Sequence, residues 1–312
     1  LDPQPGDTIA DPACGSGGML VETVTAVKEA GGDPRTLRLH GQEINLTTSA
    51  IAKMNLYLHG LKDFKIARGD TFREPKLLDG DSLQKFDVVM ANPPFSLQNW
   101  GADTWAEDPH GRGAYGVPPA KNGDLAWIEH MIATMKEDTG RVGVVMPHGT
   151  LFRSGKEGTV REAVIRADLL EAVISLPNNL FYSTSIPVAI LVFRATKPVE
   201  RQGKVLIIDA TKRFTPGKNQ NTMSDADIDV IDTAYKQGVD IDGEDGLSLR
   251  LVDLAEIEDN GFDLNIGRYL KDETVIEVDV EGALTAYRKS RDRLAAAEAA
   301  LAIKLKAAGF HV

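Results

Sequence analysis

From residue 8 to residue 209, short runs of β-branched and aliphatic residues alternate with longer segments of helical periodicity. That alternation confines the chain to one architectural class, a largely parallel sheet with helices on its faces, because parallel neighbours need a helical crossover between them. The runs 8–11, 37–43, 64–69, 86–91, 141–146 and 169–175 read as strands. Helical patterns at 18–30, 46–59, 124–137 and 156–166 fall between them. Two further strands, 187–194 and 204–209, follow with no room for a crossover helix, so at least one antiparallel neighbour is expected. Residues 96–122 break the pattern, being rich in Gly and Pro and carrying Trp100, Trp105 and Tyr115 without a period. A stretch of that length inside a compact domain is expected to be functional or disordered.

Beyond residue 209 the character changes. Residues 211–223 are polar and turn-rich, 224–236 read as a capped helix, and 236–247 have a linker-like mix of Gly and Asp. Residues 281–308 form a long Ala-rich helix in which Tyr287, Leu294, Leu301 and Ala308 recur every seven residues, with Leu305 one turn after Leu301. So thin an apolar seam suits packing on its own domain as well as it suits a partner-binding arm. The expected organisation is a core over 1–210, an acidic α+β extension over 211–280, and a helix over 281–312.

The chemistry lies where strands end. After the first strand comes Asp11-Pro12-Ala13-Cys14-Gly15-Ser16-Gly17-Gly18, which opens a helix. At a helix start the main-chain N–H groups are free, and glycine lets a ligand approach the backbone, as in nucleotide-type cofactor turns. The segment is neither GxGxxG nor a phosphate-binding P-loop, and an Asp at the strand end repels a diphosphate but suits an ammonium group. Read alone, it is also compatible with a tight turn that holds no ligand. The second strand ends in Gln42-Glu43, where an acid can hold a ribose diol. The third ends in Gly69-Asp70-Thr71-Phe72, where Asp70 can accept from an exocyclic amine and Phe72 can cover a purine face.

The fourth strand ends in Asn92-Pro93-Pro94-Phe95. The prolines fix the backbone and remove two donors, leaving carbonyl acceptors at the strand end. Asn92 adds a side-chain acceptor and Phe95 a flat apolar face, so a planar NH2-bearing group can donate to Asn92 and Pro93 while stacking on Phe95. As an isolated motif, the same residues can simply terminate a strand.

Composition removes several alternatives. The chain holds 35 basic and 46 acidic residues, a net of −11. That balance argues against gripping nucleic acid with the whole surface, since phosphate neutralisation needs Lys and Arg in excess. The acidity is local: residues 221–280 hold 4 basic and 17 acidic residues, whereas residues 1–220 hold 25 and 26. Cys14 is the single cysteine, which excludes a disulfide framework, fits a reducing cytosol, and leaves the six scattered His without a metal-ligand cluster. No apolar run approaches the roughly 18 residues of a membrane helix. Leu rather than Met stands at position 1, so the chain is expected to be a fragment or a processed piece.

Taken together, Asp11–Gly18 followed by Asn92–Phe95 resembles the S-adenosylmethionine-dependent amino-methyltransferases of DNA, and the motif order is similar to the adenine-N6 branch. Later segments sharpen the likeness: Leu176-Pro177-Asn178-Asn179-Leu180-Phe181-Tyr182, Thr184-Ser185-Ile186-Pro187, Gly217-Lys218-Asn219-Gln220-Asn221 and Asn265-Ile266-Gly267-Arg268-Tyr269. With these, essentially the whole chain resembles the modification (M) subunit of type I restriction–modification systems. The resemblance implies an α/β, Rossmann-like S-adenosylmethionine-dependent methyltransferase fold, mostly parallel with an antiparallel edge strand and a C-terminal helical extension. It implies methyl transfer from S-adenosyl-L-methionine to the N6 amine of a flipped adenine, without a metal, in the cytoplasm of a prokaryote. It also implies cofactor contacts from Asp11, Pro12, Ala13, Cys14, Gly15, Ser16, Gly17, Glu43, Asp70, Thr71 and Phe72, and catalysis by Asn92, Pro93, Pro94 and Phe95. The implied partners are DNA, a specificity subunit, a second M subunit and the restriction subunit. An N-terminal helical domain, found in that family before the core, is expected to be missing from this chain. RNA or protein-glutamine methyl transfer, a non-catalytic assembly role and, more remotely, hydride transfer are the competing readings.

Overall fold

The computed structural model describes residues 1–181, 185–241, 246–270 and 280–309; Tyr182 and Thr184 of the motifs above lie outside them, as do parts of the 211–280 extension. The strands, in chain order, are β1 (Thr8–Asp11), β2 (Arg38–Glu43), β3 (Phe64–Arg68), a short hairpin of β4 (Leu78–Asp79) and β5 (Ser82–Leu83), and β6 (Val88–Ala91). Then follow β7 (Arg141–Pro147), β8 (Leu170–Ser175), β9 (Val188–Arg194), β10 (Lys204–Asp209) and β11 (Ser248–Asp253). The helices are α1 (Gly18–Glu29), α2 (Leu46–Leu58), α3 (Asp124–Thr134), α4 (Gly149–Phe152), α5 (Lys156–Arg166), α6 (Asp225–Gln237), α7 (Leu254–Asp259) and α8 (Val280–Ala307).

Among the described residues the main sheet has the order β11-β10-β8-β9-β7-β6-β1-β2-β3. Strands β1, β6 and β8 are buried along their whole length, as expected where helices cover both faces. Alternate side chains supply two cores: Ile9, Val88 and Met90 pack with Leu20, Leu39, Ala52 and Leu56, whereas Ala10, Val89 and Ala91 pack with Leu125, Ile128 and Met131. The sheet has the expected antiparallel edge strand, but it is β11, which the sequence does not mark as a strand, paired with β10; the strands at 188–194 and 204–209 are not neighbours. A second antiparallel strand, β9, lies inside the sheet between β7 and β8. Strand β9 pairs antiparallel with β8, and β10 then returns parallel on the far side of β8.

The order reverses between β1 and β6, which pair in parallel with Ile9 opposite Val88 and Ala10 opposite Val89. Chain leaving these two strands diverges, and the crevice outside their carboxyl ends is where ligands of open α/β sheets bind. Both sharp motifs, Asp11–Gly18 and Asn92–Phe95, begin there.

Of the two alternatives for residues 96–122, a functional loop or a disordered one, the structure removes disorder. They contain short 3-10 turns at Trp105–Glu107 and Arg112–Tyr115 and contribute to the core. Trp100 and Trp105 are each 2% exposed, with ring centroids 5.0 Å apart at 83°. Phe72 touches both and also Trp127. The Trp105 indole N–H donates to Glu129 Oε2 at 2.9 Å, and the Arg112 guanidinium lies 4.5 Å over its ring. Trp105→Ala is therefore expected to destabilise the fold by about 3–5 kcal/mol, read as a shift of the urea midpoint at unchanged slope.

The chain divides into two units, residues 1–271 and 272–312. Within the first, Ser224 caps α6 in a reciprocal capping box with Asp227, as its sequence predicts. In the second, Tyr287, Leu294 and Leu301 on α8 are exposed. Among the described residues no helix is long and apolar enough to cross a membrane.

Candidate active site

The turn after β1 is held from three directions. Asp11 Oδ1 accepts the Ala13 N–H at 2.9 Å, Cys14 N donates to Gln42 O at 3.0 Å, and Gly17 N donates to Cys14 O at 2.7 Å. Gly15 and Gly17 have φ of +52° and +80°, a region that β-carbons disfavour. A Cβ on Gly15 would meet nothing within 4 Å, so the turn presents open backbone to an incoming group. Asp11 is 2% exposed, and burial pushes its carboxyl up to about 7; the Ala13 N–H opposes that rise and the neighbouring Glu43 charge adds to it. A buried carboxyl that no cation pairs with among the described residues, beside an open backbone turn, fits a cofactor bearing an ammonium group. Cys14 is buried and its thiol pKa is raised by desolvation, so it acts as a small packing residue rather than a nucleophile.

Glu43 links the second strand to this turn. Its Oε2 accepts Gly15 N at 3.1 Å and its Oε1 accepts Asn45 N at 2.8 Å, leaving a lone pair on each oxygen for a further donor. Thr71 Oγ donates to Pro12 O at 2.6 Å and so ties the third strand end to the same turn. Asp70 Oδ1 accepts the N–H groups of Phe72 and Arg73. Phe72 departs from expectation: it is buried among the three tryptophans and has no free face for a purine ring. A residue that the sequence reading passed over, Ile44, is 63% exposed directly after Glu43 and offers an apolar surface at the edge. No local sequence signal distinguishes it from any strand-terminal isoleucine.

One strand away, Asn92 leaves β6 exposed, Pro93 is buried, Pro94 exposed and Phe95 half-buried. Among the described residues no donor meets the Asn92 side-chain oxygen or the Pro93 carbonyl. Phe95 packs at the margin of the core formed by Ile174, Leu176 and Val188, where Leu180 and Phe181 also pack. Two sequence segments about 40 residues apart meet here: Asn221 N donates to Asn179 O at 2.9 Å, and Asn221 Nδ2 donates to Asn178 O at 2.9 Å. Gln220 also donates to Leu180 O. His148 lies 3.0 Å from Ser175 Oγ and 3.1 Å from Val188 O through Nε2. Among the described residues no His, Cys, Asp and Glu group has the arrangement of a metal site.

The structure thus gathers Asp11–Gly17, Glu43, Asp70 and Thr71 around one turn, and sets Asn92–Phe95 beside them across the β1–β6 switch point. Residues 1–277 match the family described as N-6 DNA Methylase. The chain is 36% identical over 281 residues to the type I restriction enzyme MjaVII methylase subunit of Methanocaldococcus jannaschii, with 86% of this chain and 46% of that protein covered. It is 34% identical over 277 residues to the type I restriction enzyme HindI methylase subunit of Haemophilus influenzae, covering 86% and 60%. Its fold superposes with a TM-score of 0.78 on the crystal structure of a type I restriction-modification system methyltransferase subunit from Streptococcus thermophilus, at 35% identity, covering 86% of this chain and 55% of that one. The chain spans about half the length of the curated relatives it matches.

Proposed function

The chain belongs to the N-6 DNA methylase family, and from that premise we propose that it is the catalytic core of a methyltransferase acting on the N6 amine of adenine in DNA, within a complex of the type I restriction–modification kind. The observation that carries this reading is the pair of unengaged acceptors, the Asn92 side-chain oxygen and the Pro93 carbonyl, one strand from the glycine turn. The adenine amine is a weak nucleophile because its lone pair is delocalised into the ring. Asn92 and Pro93 accept its two hydrogens and favour a lone pair directed out of the ring plane. Phe95 stacks on the base, recovering part of the few kcal/mol spent in taking it out of the duplex. Catalysis is then mostly positioning.

S-adenosyl-L-methionine would supply the methyl group as a sulfonium. Asp11 and the Pro12–Gly17 turn meet its methionine end, Asp11 facing the ammonium. Glu43 accepts from the ribose hydroxyls with the lone pairs that Gly15 and Asn45 leave free. Asp70 accepts from the amine of the cofactor adenine and Ile44 supplies the apolar cover first assigned to Phe72.

Residues 1–220 are nearly neutral and can present a local basic surface to DNA, whereas the acidic segment 221–280 repels DNA or faces a basic partner. We assign 1–210 as catalytic core, 211–280 as its extension and 281–312 as a partner-binding arm. A specificity subunit, a second M subunit and the restriction subunit are the proposed company, in a prokaryotic cytoplasm. The test is transfer of labelled methyl from S-adenosyl-L-methionine by the full-length protein in its complex, offered DNA, RNA and protein in parallel. Label in DNA as N6-methyladenine is expected; label in RNA or protein alone, or in none, rejects the reading.

A further inference from the structure

We propose that Asp124 is a positioning residue for the Asn92–Phe95 turn, acting through the backbone N–H of Ser96; this rests on the methyl-transfer reading of that turn. The acceptors on Asn92 and Pro93 are useful only if the turn holds still. The prolines fix the backbone as far as Pro94, and the chain leaves the motif through Ser96, which has φ +53°. A left-handed conformation at a residue with a β-carbon persists where surrounding contacts impose it. Here they come from the segment that enters α3. Asp124 Oδ1 accepts Ser96 N at 2.6 Å, Gly123 N donates to Leu97 O at 2.9 Å, and Asn99 N donates to Ala120 O at 3.0 Å.

Asp124 is costly for a residue that merely starts a helix. It is 1% exposed, and desolvation raises its carboxyl pKa against the pull of the Ser96 N–H and Arg153. It stands inside the first turn of α3, after the N-cap Gly123, and its carboxylate reaches out to Ser96 rather than to its own helix. Its second oxygen takes no hydrogen bond among the described residues; the Arg153 guanidinium stands 3.6 Å away, paired also with Glu157 at 3.4 Å. Buried Arg161 donates to Arg153 O at 2.8 Å and so holds the backbone of that arginine. The arrangement is a carboxylate aimed at the catalytic turn and braced from behind. A charge-assisted bond of this kind is about twice as strong as a neutral one.

The test uses the full-length protein in its complex, with Asp124→Ala and Asp124→Asn. Asp124→Ala is expected to lower kcat for methyl transfer about a hundredfold, the effect of roughly 1 Å of misplacement, with KM for DNA and Kd for cofactor within about twofold. Asp124→Asn, whose amide oxygen can still accept from Ser96, is expected to recover to within about tenfold of the parent. Without any substrate, amide exchange at Ser96 should accelerate at least about tenfold in the alanine variant, while Gly15 and Gly17 keep their protection. Unchanged exchange at Ser96, unchanged kcat, or a proportional loss of cofactor binding and Tm would each overturn the proposal. A parent complex that methylates nothing would instead defeat the functional reading, and the exchange comparison would still decide on Asp124.

Discussion

Asn92→Ala is expected to slow methyl transfer to DNA about a thousandfold while cofactor Kd stays within about twofold, the scale of losing one aligned polar group from a catalytic site. The two effects separate because of where the residues stand. Cofactor contacts are assigned to the ends of β1, β2 and β3, whereas Asn92 ends β6 and makes no hydrogen bond with any described residue. Its side chain is exposed, so truncation should cost within about 0.5 kcal/mol of stability. What the alanine variant lacks is the acceptor for one amine hydrogen, an interaction that matters as the nitrogen gives up its lone pair. Single-turnover transfer rates and calorimetric titration with S-adenosyl-L-methionine read the two quantities independently. Equal losses in both would remove the role assigned to Asn92.

Sequence made the architecture legible because the information needed was local or periodic. Alternating strand and helix patterns led to eight of the sheet strands in their observed places, and the capping box at Ser224 marked its helix. The Asp11–Gly18 and Asn92–Phe95 turns were legible for the same reason: their chemistry lies in contiguous residues. What stayed hidden depends on contacts between distant segments. Absence of a crossover helix said that an antiparallel pair exists, but not that β9 slots between β7 and β8. The stretch from 96 to 122 has no period because its order comes from buried side chains: Arg112 donates to Thr71 O and Phe72 O at 2.8 and 2.7 Å, some 40 residues away. Those bonds hold the chain at Phe72, whose ring lies among the tryptophans instead of facing the edge. The bond from Ser96 to Asp124 spans 28 residues and has no sequence signature beyond Asn122-Gly123-Asp124 at a helix start.

Asp11→Asn is expected to raise stability at pH 8 while weakening cofactor binding about a hundredfold. The sign follows from burial. With its carboxyl pushed up to about 7, against about 3.9 in an unfolded chain, the ligand-free fold holds the Asp11 proton more tightly than the unfolded state does. The penalty for ionised Asp11 is absent below about pH 3.9, grows between there and 7, and is complete above 7, at about 4 kcal/mol. Asparagine keeps the acceptor for Ala13 N–H and escapes that penalty, so its gain in Tm should appear near pH 8 and vanish near pH 4. A carboxylate that costs the fold this much is explained by a ligand that needs the charge. If the cofactor ammonium binds ionised Asp11, affinity should fall by up to tenfold per unit below about pH 7, with uptake of the cofactor releasing a proton there. The asparagine variant should lose both that slope and a charged hydrogen bond worth about 1.5–3 kcal/mol. Calorimetric titrations across pH 5.5–8.5, in buffers of differing ionisation enthalpy, measure affinity and proton release together. An affinity of the parent that ignores pH, or an asparagine variant less stable than the parent at pH 8, would remove the charge of Asp11 from the binding of the cofactor.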